Sequence, residues 1–172
     1  MSIQNADPLL RGTRILLVIL KVIAVVVGVT MLVGIPAIWL VPSTQIQIDG
    51  KAAGPEVRAA ITAIMAVIIV VAVLARQFLR ELIAIIDSVK LGSPFVPENA
   101  RRLRTMGWLV LAMEGLSFAV DPLSAWLTTL SAESDLEVSF SFGWLVTALL
   151  LFILARVFEQ GTKLAEDVEG TV

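Results

Sequence analysis

Four stretches of the chain are apolar over lengths that suit membrane-spanning helices. They cover about residues 15–41, 57–91, 103–121 and 142–158. An α-helix rises 1.5 Å per residue, so roughly 20 residues cross the hydrocarbon core of a bilayer. The second stretch is longer because apolar residues recur at helical spacing among charges up to Gly92, which predicts an extension into the cytoplasm. The pattern predicts an all-α polytopic membrane protein whose four transmembrane helices form one four-helix bundle over residues 1–172.

Prolines predict a kink near the end of one apolar stretch and a helix boundary after another. Pro36 lies near the outer end of the first stretch and predicts a kink or a loosened last turn there. Asp121-Pro122 is a typical helix start, so residues 123–130 are expected to form a separate short helix at the outer surface. A polar tail, residues 159–172, is expected after the fourth span.

The distribution of basic residues predicts the orientation of the chain. Residues 76–104, around the second loop, carry six Lys and Arg residues, whereas residues 121–142 carry none. Basic residues are retained on the cytoplasmic side of a membrane. We therefore expect an N-in/C-in topology, with both termini and the middle loop in the cytoplasm.

Two outer segments alternate polar and apolar residues with the period of a β-strand. They are residues 44–48, which leave the first span, and residues 138–142, which enter the fourth. The two segments either pair as a short outer β-ribbon or remain irregular extended linkers.

Lys21 and Glu114 are charged residues within the first and third apolar stretches. Such residues are costly in a bilayer, so they normally face other helices and have a partner. Glu114 shares a helical stripe with Gly107 and Ser117, and Lys21 shares one with Gly28; small residues allow close helix approach. This predicts an intramembrane polar pair, Lys21 with Glu114 beside Ser117, which is either a structural ion pair or a proton- or ligand-responsive site.

The loop between the second and third spans is a candidate docking surface for a partner. Prolines 94 and 97 fix its turn, Phe95 offers an aromatic anchor, and arginines follow it. The basic residues alternatively serve only to fix topology, or they contact anionic lipid. The residues assigned to this docking loop are Gly92, Pro94, Phe95, Asn99, Arg101, Arg102 and Arg104.

Composition supports the membrane class and disfavours most chemistry. The chain is 58% hydrophobic and 16% charged, with a mean hydropathy of +0.91. It contains no cysteine and no histidine, which removes thiolate chemistry, the usual metal ligands and the commonest general acid-base group. We therefore expect no enzyme activity, no cofactor and no metal site. A net charge of −2 gives no basic field for direct nucleic-acid contact.

The middle loop also carries the motifs of a known family. Gly92-Ser93-Pro94-Phe95, then Asn99, Arg102-Leu103 and Gly107, resemble the signature of a bacterial membrane family, domain of unknown function 2975. Phe158, Gly161 and Leu164 are similar to its ending. The resemblance implies a multi-pass protein of the bacterial inner membrane with no assigned activity. Members are often encoded beside a small helix-turn-helix regulator of the Cro type, which implies a DNA-binding protein as a partner.

These observations favour a non-enzymatic membrane sensor or anchor for such a regulator, embedded in the lipid bilayer. The alternative is a small transporter or transporter subunit, in which Lys21 and Glu114 line a pathway. A transporter of this size needs to form a homo-oligomer around a polar route.

Overall fold

Four long helices make up most of the protein. The computed structural model describes residues 8–42, 47–48, 51–52, 54–129 and 142–169. All four helices are long and apolar enough to cross a membrane, which confirms the prediction of four spans. They are α1 (Pro8–Leu40), α2 (Pro55–Lys90), α3 (Pro97–Thr129) and α4 (Gly143–Glu169).

Helix α2 ends at Lys90, two residues before Gly92, the residue that the sequence indicates as its stop. Gly92 has φ +78°, a left-handed conformation that side chains with a Cβ rarely adopt. The Gly92 N–H donates to the Val89 carbonyl at 3.0 Å, and the Ser93 N–H donates to the Ser88 carbonyl at 3.2 Å. This pair of hydrogen bonds is a Schellman motif, which satisfies the last carbonyls of α2 and reverses the chain towards α3.

Helix α3 does not stop at Asp121-Pro122, so the prediction of a separate outer helix is wrong. It continues through Pro122 to Thr129. A proline inside a helix loses only its own N–H bond and crowds one carbonyl, and side-chain groups can compensate in a membrane helix. The Ser124 hydroxyl donates to the Asp121 carbonyl at 2.9 Å beside this point. The polar tail is likewise helical as far as Glu169, where α4 ends.

The helices pack only on their neighbours in sequence. α1 packs on α2, α2 on α3 and α3 on α4. Within the described residues, no Cα atom of α1 comes within 8 Å of α3 or α4, and none of α2 comes within 8 Å of α4. In the described part of the chain the helices therefore form an open series of pairs, with no Cα pair within 8 Å between α1 and α4.

This open packing leaves long apolar faces uncovered by protein. In the most apolar 18 residues of each helix, only 6% to 17% of the residues are buried. Exposing such surface to water costs about 25 cal/mol for each Å². The faces suit a hydrocarbon environment and not an aqueous one.

Polar contacts join the C-terminal end of α1 to the N-terminal part of α2. Arg58 is buried, and its Nη2 donates to the Val41 carbonyl at 2.9 Å, just after α1. A cation near a helix C-terminus is favourable because it meets the negative end of the helix dipole. Trp39 Nε1 also donates to Thr62 Oγ1 at 3.1 Å.

A two-residue antiparallel ladder lies between α1 and α2. It pairs β1 (Gln47–Ile48) with β2 (Lys51–Ala52). The predicted partner of residues 44–48 was the segment 138–142, of which residues 138–141 lie outside the described part. The longer ribbon therefore stays a prediction.

Candidate functional site

A buried asparagine organises the turn between α2 and α3. Asn99 is 0% exposed, and its Nδ2 donates to Ser88 Oγ at 2.6 Å and to the Pro94 carbonyl at 2.8 Å. Its Oδ1 accepts from Arg102 Nη1 at 2.8 Å, and its backbone N–H donates to the Val96 carbonyl at 3.0 Å. A buried amide is stabilising only when its polar atoms have partners, as they do here. Asn99 therefore holds the turn against the last turns of α2.

Arg102 extends this cluster across the face of α2. Its Nη1 also donates to the Ala84 carbonyl at 3.4 Å, and its Nε lies 3.9 Å from Glu81 Oε2. Glu81 Oε1 accepts from Gln77 Nε2 at 3.0 Å and from Arg80 Nη2 at 3.2 Å. The half-buried carboxylate is thus held among donors on both helices. We refer to Gln77, Glu81, Ser88, Asn99 and Arg102 as the Asn99 network.

Phe95 packs the same turn against α4. Its ring centroid lies 5.4 Å from that of Phe158, and its edge lies so close to Gly161 that a Cβ there would be 2.7 Å from Phe95 Cδ1. The side chain is still 47% exposed. One part of Phe95 therefore packs within the protein, while the remainder is free to contact a partner.

The exposed part of the turn borders a groove beside α4. The groove has a volume of about 340 Å³, and its lining includes Pro94, Phe95, Thr162 and Ala165. Of the predicted docking loop, Asn99 is buried and Arg102 is half-buried, so these two residues build the turn. The exposed members, which remain available to a partner, are Gly92, Phe95, Arg101 and Arg104.

The predicted intramembrane pair is not brought together. Lys21 lies on α1 and Glu114 on α3, and no Cα atom of one helix comes within 8 Å of the other; neither residue forms an ion pair within the described part of the chain. Ser117 is exposed on α3. The glycines of the two stripes pack against other helices. Gly28 faces Ala72 of α2, where a Cβ would lie 3.6 Å from the alanine Cβ, and Gly107 meets the Phe152 ring of α4.

The fold and the polar end together define a class of protein. Four apolar helices with uncovered faces, joined at one end by a hydrogen-bonded polar turn, characterise a multi-pass helical membrane protein. The family model described as "Protein of unknown function (DUF2975)" matches residues 45–172. The chain belongs to this family, as the motifs around Gly92 and Asn99 indicate. Neither the curated proteins nor the solved structures contain a match to it.

The family match includes all the residues of the Asn99 network and the contact between Phe95 and α4. Sequence reasoning singled out Asn99 and Arg102 but missed Glu81 and Ser88. The available signal was that both residues lie on the part of α2 that continues beyond its uncharged stretch, where polar side chains need partners on another helix.

Proposed function

We propose that this protein is a non-enzymatic anchor or sensor in the bacterial inner membrane, and that its cytoplasmic end binds a small helix-turn-helix regulator. The observation that carries the proposal is the ordered polar structure around the α2–α3 turn, beside which Leu91 and Phe95 are exposed. The membrane-spanning part supplies attachment, and the turn supplies recognition.

The proposed orientation places this end in the cytoplasm. Only Lys51 and Arg58 are basic at the opposite end, and Arg58 is occupied with the Val41 carbonyl. An excess of Lys and Arg on one side is the feature by which membrane proteins are oriented, and it supports N-in/C-in. The basic residues on the side of the α2–α3 turn are Arg11, Arg14, Arg76, Arg80, Lys90, Arg101, Arg102, Arg104, Arg156 and Lys163.

Exposed apolar residues at the same end support a protein partner. Leu91 is 83% exposed directly after α2, and Phe95 and Leu164 are also exposed near the groove. Apolar side chains clustered on a polar surface commonly mark an interaction site. The Asn99 network fixes the turn before any partner arrives, which lowers the entropy lost on binding.

The chemistry of this end suits a partner with an apolar patch bordered by acidic residues. Lys90 is exposed beside Leu91, so complementary charge would steer and orient such a partner. The family resemblance implies that the partner is a small DNA-binding regulator. Contact with DNA belongs to the regulator, and the membrane protein itself needs no direct contact with nucleic acid.

The geometry favours an anchor over a transporter. The transporter hypothesis uses Lys21 and Glu114 as one polar site, but in the described part of the chain they lie on helices with no Cα pair within 8 Å and they form no ion pair. An enzyme is disfavoured by the absence of cysteine and histidine from the sequence.

Copurification from native membranes tests the proposal, with Leu91→Ser and Leu40→Ser as matched variants. Both leucines are 83% exposed at a helix end, but they lie at opposite ends of the α1–α2 pair. We expect a small DNA-binding protein, identified by mass spectrometry, to copurify with the original chain and with Leu40→Ser. Its recovery should fall roughly five- to tenfold with Leu91→Ser, because an anchor leucine loses its burial against the partner.

Two results would count against the proposed function. One is that no DNA-binding protein copurifies with the original chain. The other is equal recovery with Leu91→Ser and Leu40→Ser at equal membrane levels of the two proteins.

A further inference from the structure

A second groove, between the start of α3 and the end of α4, carries an excess of positive charge. It has a volume of about 310 Å³, and its lining includes Arg101, Arg104, Lys163 and a single acid, Glu159. Arg104 Nη2 lies 3.3 Å from Glu159 Oε2, so that pair is largely compensated. Arg101 and Lys163 are exposed, and neither forms an ion pair in the described part of the chain.

Beyond the groove, the same face of α3 carries an exposed aromatic ring. Along α3, Arg101, Arg104 and Trp108 follow one another at spacings of three and four, so they share one face of the helix. Trp108 is 62% exposed, and its ring meets that of Phe152 on α4 edge-on, with centroids 5.4 Å apart. Tryptophan prefers the boundary between headgroups and hydrocarbon. Basic residues therefore line the groove, and Trp108 lies one to two turns further along α3, next to the groove.

We propose that this groove is a binding site for an anionic phospholipid, with the phosphate of the headgroup between Arg101 and Lys163. Arginine matches phosphate oxygens with two parallel N–H donors, and basic pockets between transmembrane helices are suited to anionic headgroups. The exposed Trp108 ring supplies a wall for the acyl chains, which a free phosphate ion would leave unused.

The bound lipid contacts both helices that border the groove, α3 and α4. Arg101 belongs to α3 and Lys163 to α4, so one phosphate between them reduces the repulsion of like charges across the groove. The site requires only that this end of the molecule lies at a membrane surface. It does not depend on the proposed regulator.

The test measures lipid binding to the purified full chain by native mass spectrometry. Phosphatidylglycerol is titrated against the original protein, Arg101→Gln/Lys163→Gln and the control Arg11→Gln/Arg76→Gln. Both double variants remove two exposed basic residues from the side of the α2–α3 turn, but the control residues lie outside the groove. Each basic residue at a membrane surface contributes about a fivefold change in affinity, so the groove variant should bind roughly 25-fold more weakly. The control should remain within about twofold of the original protein.

Further titrations separate the lipid from other sources of charge. Phosphatidylcholine should bind at least about tenfold more weakly than phosphatidylglycerol, and inorganic phosphate at about 10 mM should not displace the bound lipid. The swap Arg101→Lys/Lys163→Arg should retain most of the binding because it keeps both charges.

Three outcomes would overturn the proposal. The first is equal binding of the two lipids. The second is an equal loss in both double variants, which indicates a general charge effect. The third is displacement of the lipid by phosphate, which indicates a free-anion site.

Discussion

Replacing Asn99 with alanine should destabilise the protein by about 2 to 3 kcal/mol. The Pro94 carbonyl loses its bond from Nδ2, and a stranded buried acceptor costs about 1 to 2 kcal/mol. Arg102 loses its acceptor at 2.8 Å but keeps the Ala84 carbonyl and Glu81, so its share is about 1 kcal/mol. Ser88 still donates to the Ile85 carbonyl at 2.7 Å, so its loss is small.

Unfolding by sodium dodecyl sulfate in mixed micelles, followed by circular dichroism, measures this loss. Glu98→Ala is the matched control, because Glu98 is the preceding residue and is exposed; it should change stability by less than about 0.5 kcal/mol. Arg102→Ala and the double variant complete a cycle, in which we expect a coupling of about 1 kcal/mol. Equal stability of Asn99→Ala and Glu98→Ala would refute the claim that buried hydrogen bonds hold the turn.

Two further predictions concern the contact with α4 and the topology. Gly161→Ala should destabilise the protein by about 1 to 2 kcal/mol in the same titration, because its Cβ would lie 2.7 Å from Phe95, whereas Gly115→Ala meets nothing within 4 Å and should be neutral or stabilising; equal effects would contradict the contact. In intact cells, an impermeant thiol reagent should label Ala132→Cys but not Ser93→Cys, since the chain has no native cysteine and the basic loop is expected inside. The opposite labelling would reverse the orientation.

The sequence was informative about helices because apolar length is a strong signal in a membrane protein. The lack of water in the bilayer forces a long apolar segment to satisfy its own backbone, and a helix does so. The end of α2 was also predictable, because Gly92 can adopt the positive φ that a Schellman motif requires. The end of α3 was not predictable, because Asp121-Pro122 resembles a helix start but is accommodated within α3.

The neighbours of each helix were not predictable from stripes of small residues. Gly28 and Gly107 mark close packing correctly, but a stripe does not state which helix it faces. Gly28 approaches α2 and Gly107 approaches α4, so the inferred meeting of Lys21 with Glu114 does not occur.

The candidate site was predictable in part. The prolines, the basic residues and the family motifs identified the loop from Gly92 to Arg104 as a candidate site. In the structure, hydrogen bonds from Asn99 hold this loop in place. The division between buried and exposed members depends on tertiary packing. Asn99 meets Ser88, eleven residues earlier, only because the Schellman turn folds α3 back along α2.

Site-specific photocrosslinking in living cells tests most directly whether the α2–α3 turn binds a small DNA-binding regulator. A photoreactive amino acid is placed at Leu91, next to the proposed docking groove, and in a parallel strain at the equally exposed Leu40. We expect a crosslinked product from position 91, identified by mass spectrometry as a small DNA-binding protein, and no such product from position 40. The absence of that protein at position 91, or its equal capture at both positions, would contradict docking of a regulator at the α2–α3 turn.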